Sequence, residues 1–295
     1  MPSTQPAVAF LGLGVMGYPM AGHLHRAGYP VTVYNRTTDK ARRWTREFGG
    51  GLAATPADAA QGANILLSCV GNDNDLGEVM LGEHGAIQGL APGSLVIDHT
   101  TASATLAREL DKAFAARGIG FMDAPVSGGQ AGAENGKLTI MCGGREADYA
   151  RAEALLQTYA VRVKRMGEVG SGQLTKMVNQ ICIAGLLQGL AEGLHFARSA
   201  DLDIAEVVDV ISKGAAQSWQ MENRHGTMAE GRYDHGFAVD WMRKDLDIVL
   251  AAARANGSHL PVTALVDQFY GEVQAMGGGR WDTSSLMARL ERLRR

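Results

Sequence analysis

A chain of 295 residues, 46% hydrophobic and 20% charged, is long enough for two domains with sizeable cores and has the composition of a soluble globular protein. A net charge of -3 gives no reason to expect nucleic acid or an anionic membrane as partner, and no run reaches the ~18 uninterrupted apolar residues of a membrane span. Cys69, Cys142 and Cys182 lie in apolar surroundings without metal-type spacing, so no metal site is expected and the thiols read as reduced, as in a cytoplasmic protein. Met1 to Pro6 is too short and polar for a signal peptide.

The first predicted strand, at residues 7–11, runs directly into Gly12-Leu13-Gly14-Val15-Met16-Gly17 and then a helix that Gly28 terminates. In that context the first glycine permits the tight turn, the second lets a pyrophosphate approach the backbone, and the third lets helix pack on strand. The helix N-terminus offers free N–H groups and a positive dipole end to phosphate. A second strand at residues 31–34 ends on Asn35-Arg36-Thr37, where an NAD-binding chain would carry an acid for the ribose hydroxyls. A guanidinium and two neutral hydrogen-bonding residues favour the 2′-phosphate of NADP over NAD.

Strands and helices continue to alternate, as in a doubly wound, mostly parallel sheet. Strands are predicted at 63–70, 94–98, 120–126, 138–142 and 161–164, with a helix near 104–117. Their ends, at Val70 to Asn74, at His99-Thr100-Thr101 and at Ser127-Gly128-Gly129, should face the ligand crevice. His99 has no acid or hydroxyl partner at a telling spacing and reads as structural.

After Gly167 the strand pattern disappears. A Rossmann domain at 1–167 and an all-α domain at 168–295 are expected, joined by one long helix over 170–200. That helix opens on Gly172 to Gln180. Lys176 lies there among neutral residues, with the amides of Asn179 and Gln180 three and four positions later on the same face. A lysine so placed either serves a function or snorkels its head into water. Gly185, Gly189 and Gly193 form a stripe, each costing about 1 kcal/mol relative to Ala, which suggests a helix packed close in this chain or in a second subunit. Shorter helices are expected at 204–212, 244–255 and 262–276. The basic end, Arg292 to Arg295, closes the chain.

Four ordered motifs together resemble the β-hydroxyacid dehydrogenase family, which includes 3-hydroxyisobutyrate dehydrogenase. They are the glycine loop through Met20, Asp123-Ala124-Pro125-Val126-Ser127-Gly128-Gly129, Gly172 to Gln180, and Lys244-Asp245-Leu246. The resemblance implies a small carboxylate-bearing substrate held by Ser127, Gly128 and Gly129, and hydride transfer to or from a nicotinamide. It makes Lys176 the proton donor and acceptor, puts Lys244 near the nicotinamide, and places Thr101 and Val70 with the cofactor. Many members carry Asn four residues after the lysine. This chain has Gln180 there and Asn179 before it, a Lys-x-x-Asn-Gln pattern similar to the tartronate semialdehyde reductase branch, and either amide can meet substrate. A homodimer or homotetramer is expected. The alternatives are an imine reductase, which typically has Asp or Tyr at the lysine position, and a non-catalytic dinucleotide-binding module, whose relatives lack the lysine.

Overall fold

The short apolar runs form the centre of a nine-stranded sheet in the computed structural model, which describes residues 5–293. Residues 1–4, most of the Met1-to-Pro6 stretch read above as too short and polar for a signal peptide, and Arg294 and Arg295 of the basic end lie outside the described residues. By internal packing the chain divides into two units, Met1–Lys176 and Met177–Arg295.

In the first unit the chain order is β1 (Val8–Leu11), α1 (Gly17–Arg26), β2 (Val31–Tyr34), α2 (Thr38–Phe48), β3 (Gly51–Leu52), α3 (Pro56–Ala60), β4 (Ile65–Ser68) and α4 (Asp73–Leu81). There follow β5 (Leu95–Asp98), α5 (Ala104–Ala115), β6 (Gly120–Asp123), β7 (Val126–Ser127), α6 (Gly129–Glu134), β8 (Leu138–Gly143), α7 (Glu146–Leu156), β9 (Ala160–Gly167) and the start of α8 (Ser171–Ser199). Strand order is β3-β2-β1-β4-β5-β6-β8-β7, with β9 on β8. The six strands from β3 to β6 are parallel, while β8 runs antiparallel to β6 and β7. The run predicted as one strand at 120–126 is two, because Ala124-Pro125 interrupts it and proline cannot donate to a ladder.

Side chains alternate across the sheet as a period of two requires. Val8, Phe10, Val33, Leu67 and Ile97 pack with Met20, Leu24 and Trp44 on one face. Ala9, Leu11, Leu66 and Val96 pack with Leu76, Leu110 and Phe114 on the other. Buried on both faces, these strands are the continuous apolar runs of the sequence.

The second unit contains the rest of α8, then α9 (Ile204–Ile211), α10 (Trp219–Ala229), α11 (Val239–Asn256), α12 (Pro261–Ala275) and α13 (Leu286–Leu293). Leu187, Leu194, Met242, Leu246, Tyr270 and Met287 belong to its core. Helices α10 and α13 were not expected from the sequence. In α10 the run Trp-Gln-Met-Glu-Asn-Arg-His has no apolar period, and Ser218 starts the helix by accepting the Met221 N–H at 3.0 Å. The glycine stripe finds no close partner among the described residues at two of its three positions. A Cβ at Gly185 would lie 3.8 Å from Val262, but at Gly189 and Gly193 nothing comes within 4 Å. Among the described residues no helix packs closely on those two positions, which leaves the second-subunit alternative.

His99 is buried, with Nδ1 2.6 Å from the Ala124 carbonyl and Nε2 2.9 Å from the Tyr159 hydroxyl, the partner that sequence spacing did not show. Burial pushes its pKa from 6.5 down to about 4. Above pH 6.5 the ring is neutral folded or unfolded; between 6.5 and 4 only the unfolded chain takes the proton, so stability is lost as pH falls. The advantage of wild type over His99→Gln should therefore shrink by about 2 kcal/mol between pH 7 and pH 5, measured by urea unfolding.

Candidate active site

Strand register sets the site. Tyr34, Leu11, Ser68, Asp98 and Asp123 lie in one row across β2, β1, β4, β5 and β6, so the loops that follow them leave the same edge of the sheet. The order reverses between β1 and β4, where open parallel sheets bind ligands.

The glycine loop occupies that point. Gly12 has φ +93°, and a Cβ there would lie 2.3 Å from the Cys69 carbonyl oxygen. A Cβ at Gly17 would lie 2.0 Å from the Gly12 oxygen and 2.9 Å from the Phe10 ring. At Gly14 nothing lies within 4 Å, and Val15 beside it is 63% exposed. The N–H groups of Val15, Met16 and Gly17 precede the first helical bond, from Tyr18 N–H to the Gly14 oxygen at 3.0 Å. Two glycines are thus required by packing and the third leaves the backbone bare, a cradle that fits a pyrophosphate.

Asn35 is committed to the loop. Its Oδ1 accepts the Leu13 N–H at 2.8 Å and its Nδ2 donates to the Thr37 carbonyl at 3.0 Å. The Arg36 side chain is 84% exposed and its Nη1 lies 2.8 Å from Asp75 Oδ1. The absence of an acid next to Arg36 in sequence is therefore corrected in space: Asp75, on α4, supplies one. Thr37 is exposed at the start of α2.

Asp98 is the hub of the next loop. Its Oδ1 accepts from Ser68 Oγ at 2.6 Å, Thr100 Oγ1 at 2.7 Å and Thr100 N at 3.1 Å. Its Oδ2 is buried with no hydrogen-bond partner among the described residues, and desolvation raises the pKa to about 7. Thr100 Oγ1 in turn accepts the Val70 N–H at 3.0 Å. Val70 is thereby tied to the loop, and Thr101 is half-buried beside Thr100.

Asp123 is wholly buried. Its Oδ1 accepts the Gly170 N–H at 2.7 Å, and its Oδ2 accepts the Gln173 N–H at 2.8 Å, so the carboxylate seats the N-terminus of α8. Desolvation outweighs these bonds and raises its pKa to about 6. Four residues on, Ser127 is half-buried, and Gly128 and Gly129 take φ values of +128° and +61° that other residues rarely adopt. Nothing lies within 4 Å of a Cβ at Gly129. Lys176 is on the first turns of α8 and is 7% exposed, unlike a snorkelling lysine whose head stays in water.

In the second unit Gln180 is 2% exposed. Its Oε1 accepts from Asn179 Nδ2 at 2.8 Å, and its Nε2 donates to Asp245 Oδ2 at 2.6 Å. Lys244 Nζ pairs with Asp245 Oδ1 at 2.8 Å. Asn179, Gln180, Asp245 and Lys244 are thus one chain of polar contacts. Sequence reasoning assigned no role to Asp98, Asp123, Gln173, Asp75 or Asp245. An acid closing a strand was the available signal for Asp98 and Asp123; Asp75 offered none. Among the described residues no group of three or more His, Cys, Asp and Glu stands together to hold a metal ion, and no helix is long and apolar enough to cross a membrane.

Residues 7–167 match a family model described as the NAD binding domain of 6-phosphogluconate dehydrogenase. Residues 170–290 match one described as NAD-binding of NADP-dependent 3-hydroxyisobutyrate dehydrogenase. The chain belongs to the β-hydroxyacid dehydrogenase family. It is 64% identical to an uncharacterized oxidoreductase of Shewanella frigidimarina, covering 97% of this chain and 99% of that one. It is 39% identical to the probable 3-hydroxyisobutyrate dehydrogenase-like 1, mitochondrial, of Arabidopsis thaliana, covering 97% and 85%. In structure it is similar to the Mycobacterium tuberculosis 3-hydroxyisobutyrate dehydrogenase solved with L-serine, with a TM-score of 0.88, 26% identity, and coverage of 97% and 99%.

A β-hydroxyacid dehydrogenase with this glycine loop should separate packing from binding. Gly17→Ala forces backbone apart and should lower the thermal midpoint or prevent folding. Gly14→Ala should leave the midpoint unchanged while raising the KM for NADPH by at least about tenfold, since the methyl fills the cradle. Calorimetry and cofactor titration on the two variants check both halves.

Proposed function

We propose that the chain is an NADP(H)-dependent oxidoreductase that interconverts a small hydroxy acid and its semialdehyde or keto acid. The observation that carries this reading is Lys176, a buried lysine on the helix whose N-terminus is seated on Asp123 of the Asp-Ala-Pro-Val-Ser-Gly-Gly segment. A nicotinamide, when bound, supplies or accepts the hydride. The chain's own residues do the rest. The Ser127 hydroxyl and the N–H groups of Gly128 and Gly129 hold the substrate carboxylate, in a turn whose positive φ values favour glycine and leave the backbone bare. Lys176 Nζ gives a proton to the carbonyl oxygen during reduction and takes it back during oxidation, and its charge steadies the oxygen in between.

The two amides divide. Both ends of Gln180 are engaged, by Asn179 and by Asp245, so Asn179 is the amide assigned to substrate and Gln180 the one that orients it. Lys244, paired with Asp245, is assigned to the nicotinamide side. NADP is favoured over NAD because Arg36, 84% exposed although paired with Asp75, stands at the end of β2, and the second family model describes an NADP-dependent enzyme. The Lys-x-x-Asn-Gln order supports the tartronate semialdehyde reductase branch, and the retained lysine weighs against an imine reductase or a non-catalytic module. The open Gly189 and Gly193 positions support packing against a second copy in a homodimer or homotetramer, and the exposed, unbridged Cys182 supports a cytoplasmic setting.

Lys176→Ala should lower kcat by about 10²–10⁴-fold with NADPH binding retained, and Lys176→Arg should restore little, because a guanidinium scarcely releases its proton near neutral pH. Steady-state oxidation of NADPH with glyoxylate, succinic semialdehyde and tartronate semialdehyde, beside fluorescence titration of the cofactor, measures both; near wild-type turnover by Lys176→Ala would refute the mechanism.

Arg36→Ala should raise the KM for NADPH roughly ten- to a hundredfold and leave NADH almost unaffected. Equal effects on the two cofactors would remove the 2′-phosphate assignment.

A further inference from the structure

Gln173 is 1% exposed, and every polar group it brings into this unit's interior is engaged. Its backbone N–H goes to Asp123 Oδ2 at 2.8 Å. Its side-chain Nε2 donates to the Thr100 carbonyl at 2.7 Å, and its Oε1 accepts the Ala102 N–H at 3.1 Å. The amide therefore brackets Thr101, bonding the residue before it and the residue after it. An extended strand presents the carbonyl of one residue and the N–H of the second residue along on the same side. A carboxamide, with a donor and an acceptor side by side, matches that pair where a hydroxyl or an alkyl group would not.

The same loop is fixed from its other sides. Thr100 N–H and Oγ1 go to Asp98, and the Ser103 N–H goes to Asp73 Oδ1 at 2.9 Å. Gln173 thus connects this loop to α8. Lys176 follows it by three residues on the same helical face.

We propose that Gln173 is a positioning residue that holds the Thr101 loop and Lys176 in one register, so that the hydroxyl assigned to the cofactor and the ammonium assigned to the substrate oxygen keep a fixed separation. This rests on the reading of Lys176 as the proton donor. With its amide and its N–H engaged inside the protein, Gln173 acts through Thr101 and Lys176. Hydride and proton transfer both demand near-attack geometry, and a displacement of about 1 Å from a change outside the chemistry can cost roughly a hundredfold.

The amide's two-sided match supplies the test. In Gln173→Glu a protonated carboxyl still offers one donor and one acceptor, whereas the carboxylate is acceptor only and faces the Thr100 carbonyl. Burial against that carbonyl raises the new group's pKa above the ordinary value of about 4.3. Below it the clamp is intact; as pH rises through it the clamp opens. The other ionisable groups bordering the segment are Asp98 on β5, Asp123 on β6, Asp73 on α4 and Lys176 on α8, with Arg108 of α5 lying against Gly170. They are present in wild type as well, so the variant-to-wild-type ratio isolates the new group.

Kcat and the KM for NADPH are to be measured from pH 5 to pH 8 for wild type, Gln173→Glu, Gln173→Leu and Lys176→Ala, on the fastest of glyoxylate, succinic semialdehyde and tartronate semialdehyde, with thermal midpoints at each pH. The kcat ratio of Gln173→Glu to wild type should fall by up to about a hundredfold as pH rises, and Gln173→Leu should be low throughout. A Glu ratio that stays flat with pH, or that falls only where the thermal midpoint falls with it, overturns the proposal, because a purely structural amide would show no separate titration in turnover. If Lys176→Ala keeps wild-type turnover while the Glu ratio still falls, the proton-donor reading fails and the clamp on the Thr101 loop survives.

Discussion

One buried carboxylate organises the loop-bearing edge of the first unit. Asp123 ends β6 and receives the N–H groups that open α8, so strand and helix share a single charged joint. A helix N-terminus and an anion attract each other, and the attraction is strongest where water is excluded. The cost is visible in the same residue: desolvation raises its pKa to about 6 in spite of the bonds. Glycine is required around this joint. A Cβ at Gly143 would lie 2.4 Å from Asp123 Oδ1, and one at Gly172 would lie 2.3 Å from the Met141 oxygen. The spacing of Gly170, Gly172 and Lys176 is therefore packing before it is chemistry.

The remaining site loops depend on register. Parallel pairing aligns Leu11, Ser68, Asp98 and Asp123, and each strand then releases its loop at the same height. Side chains lace those loops to one another: Val70 to Thr100, Thr100 to Asp98, Asp98 to Ser68, and Thr100 and Ala102 to Gln173. A network of short bonds at low exposure is stiff, because each buried polar group that lost its partner would cost about 1–3 kcal/mol. Preorganisation of this kind suits chemistry in which donor, acceptor and carboxylate clamp must hold their distances.

The second unit solves a similar problem with fewer residues. Asp245 is 2% exposed and is neutralised by Lys244 while accepting from Gln180. A buried charge with one partner removed is expensive, which makes the three side chains a unit rather than a set of independent contacts.

Residue order alone determined the strand-turn-helix at Gly12 to Gly17, the alternation that specifies a doubly wound sheet, the long helix and the position of Lys176 on it. These are local: a period of two or of 3.6, a glycine where backbone must turn, a motif contiguous in the chain. Tertiary structure decided what lay beyond that reach. It brought Asp75 to Arg36 across 39 positions and Gln173 to the Thr101 loop across more than 70. It showed that Gln180 is engaged at both ends where spacing left two amides equivalent, and that Gly189 and Gly193 meet nothing among the described residues where the pattern allowed a neighbouring helix from this chain or from a second subunit. The physical reason is the same in each case. Periodicity records which face of an element is apolar, whereas the partner of a polar side chain is chosen by register and crossing geometry, which no stretch of sequence encodes by itself.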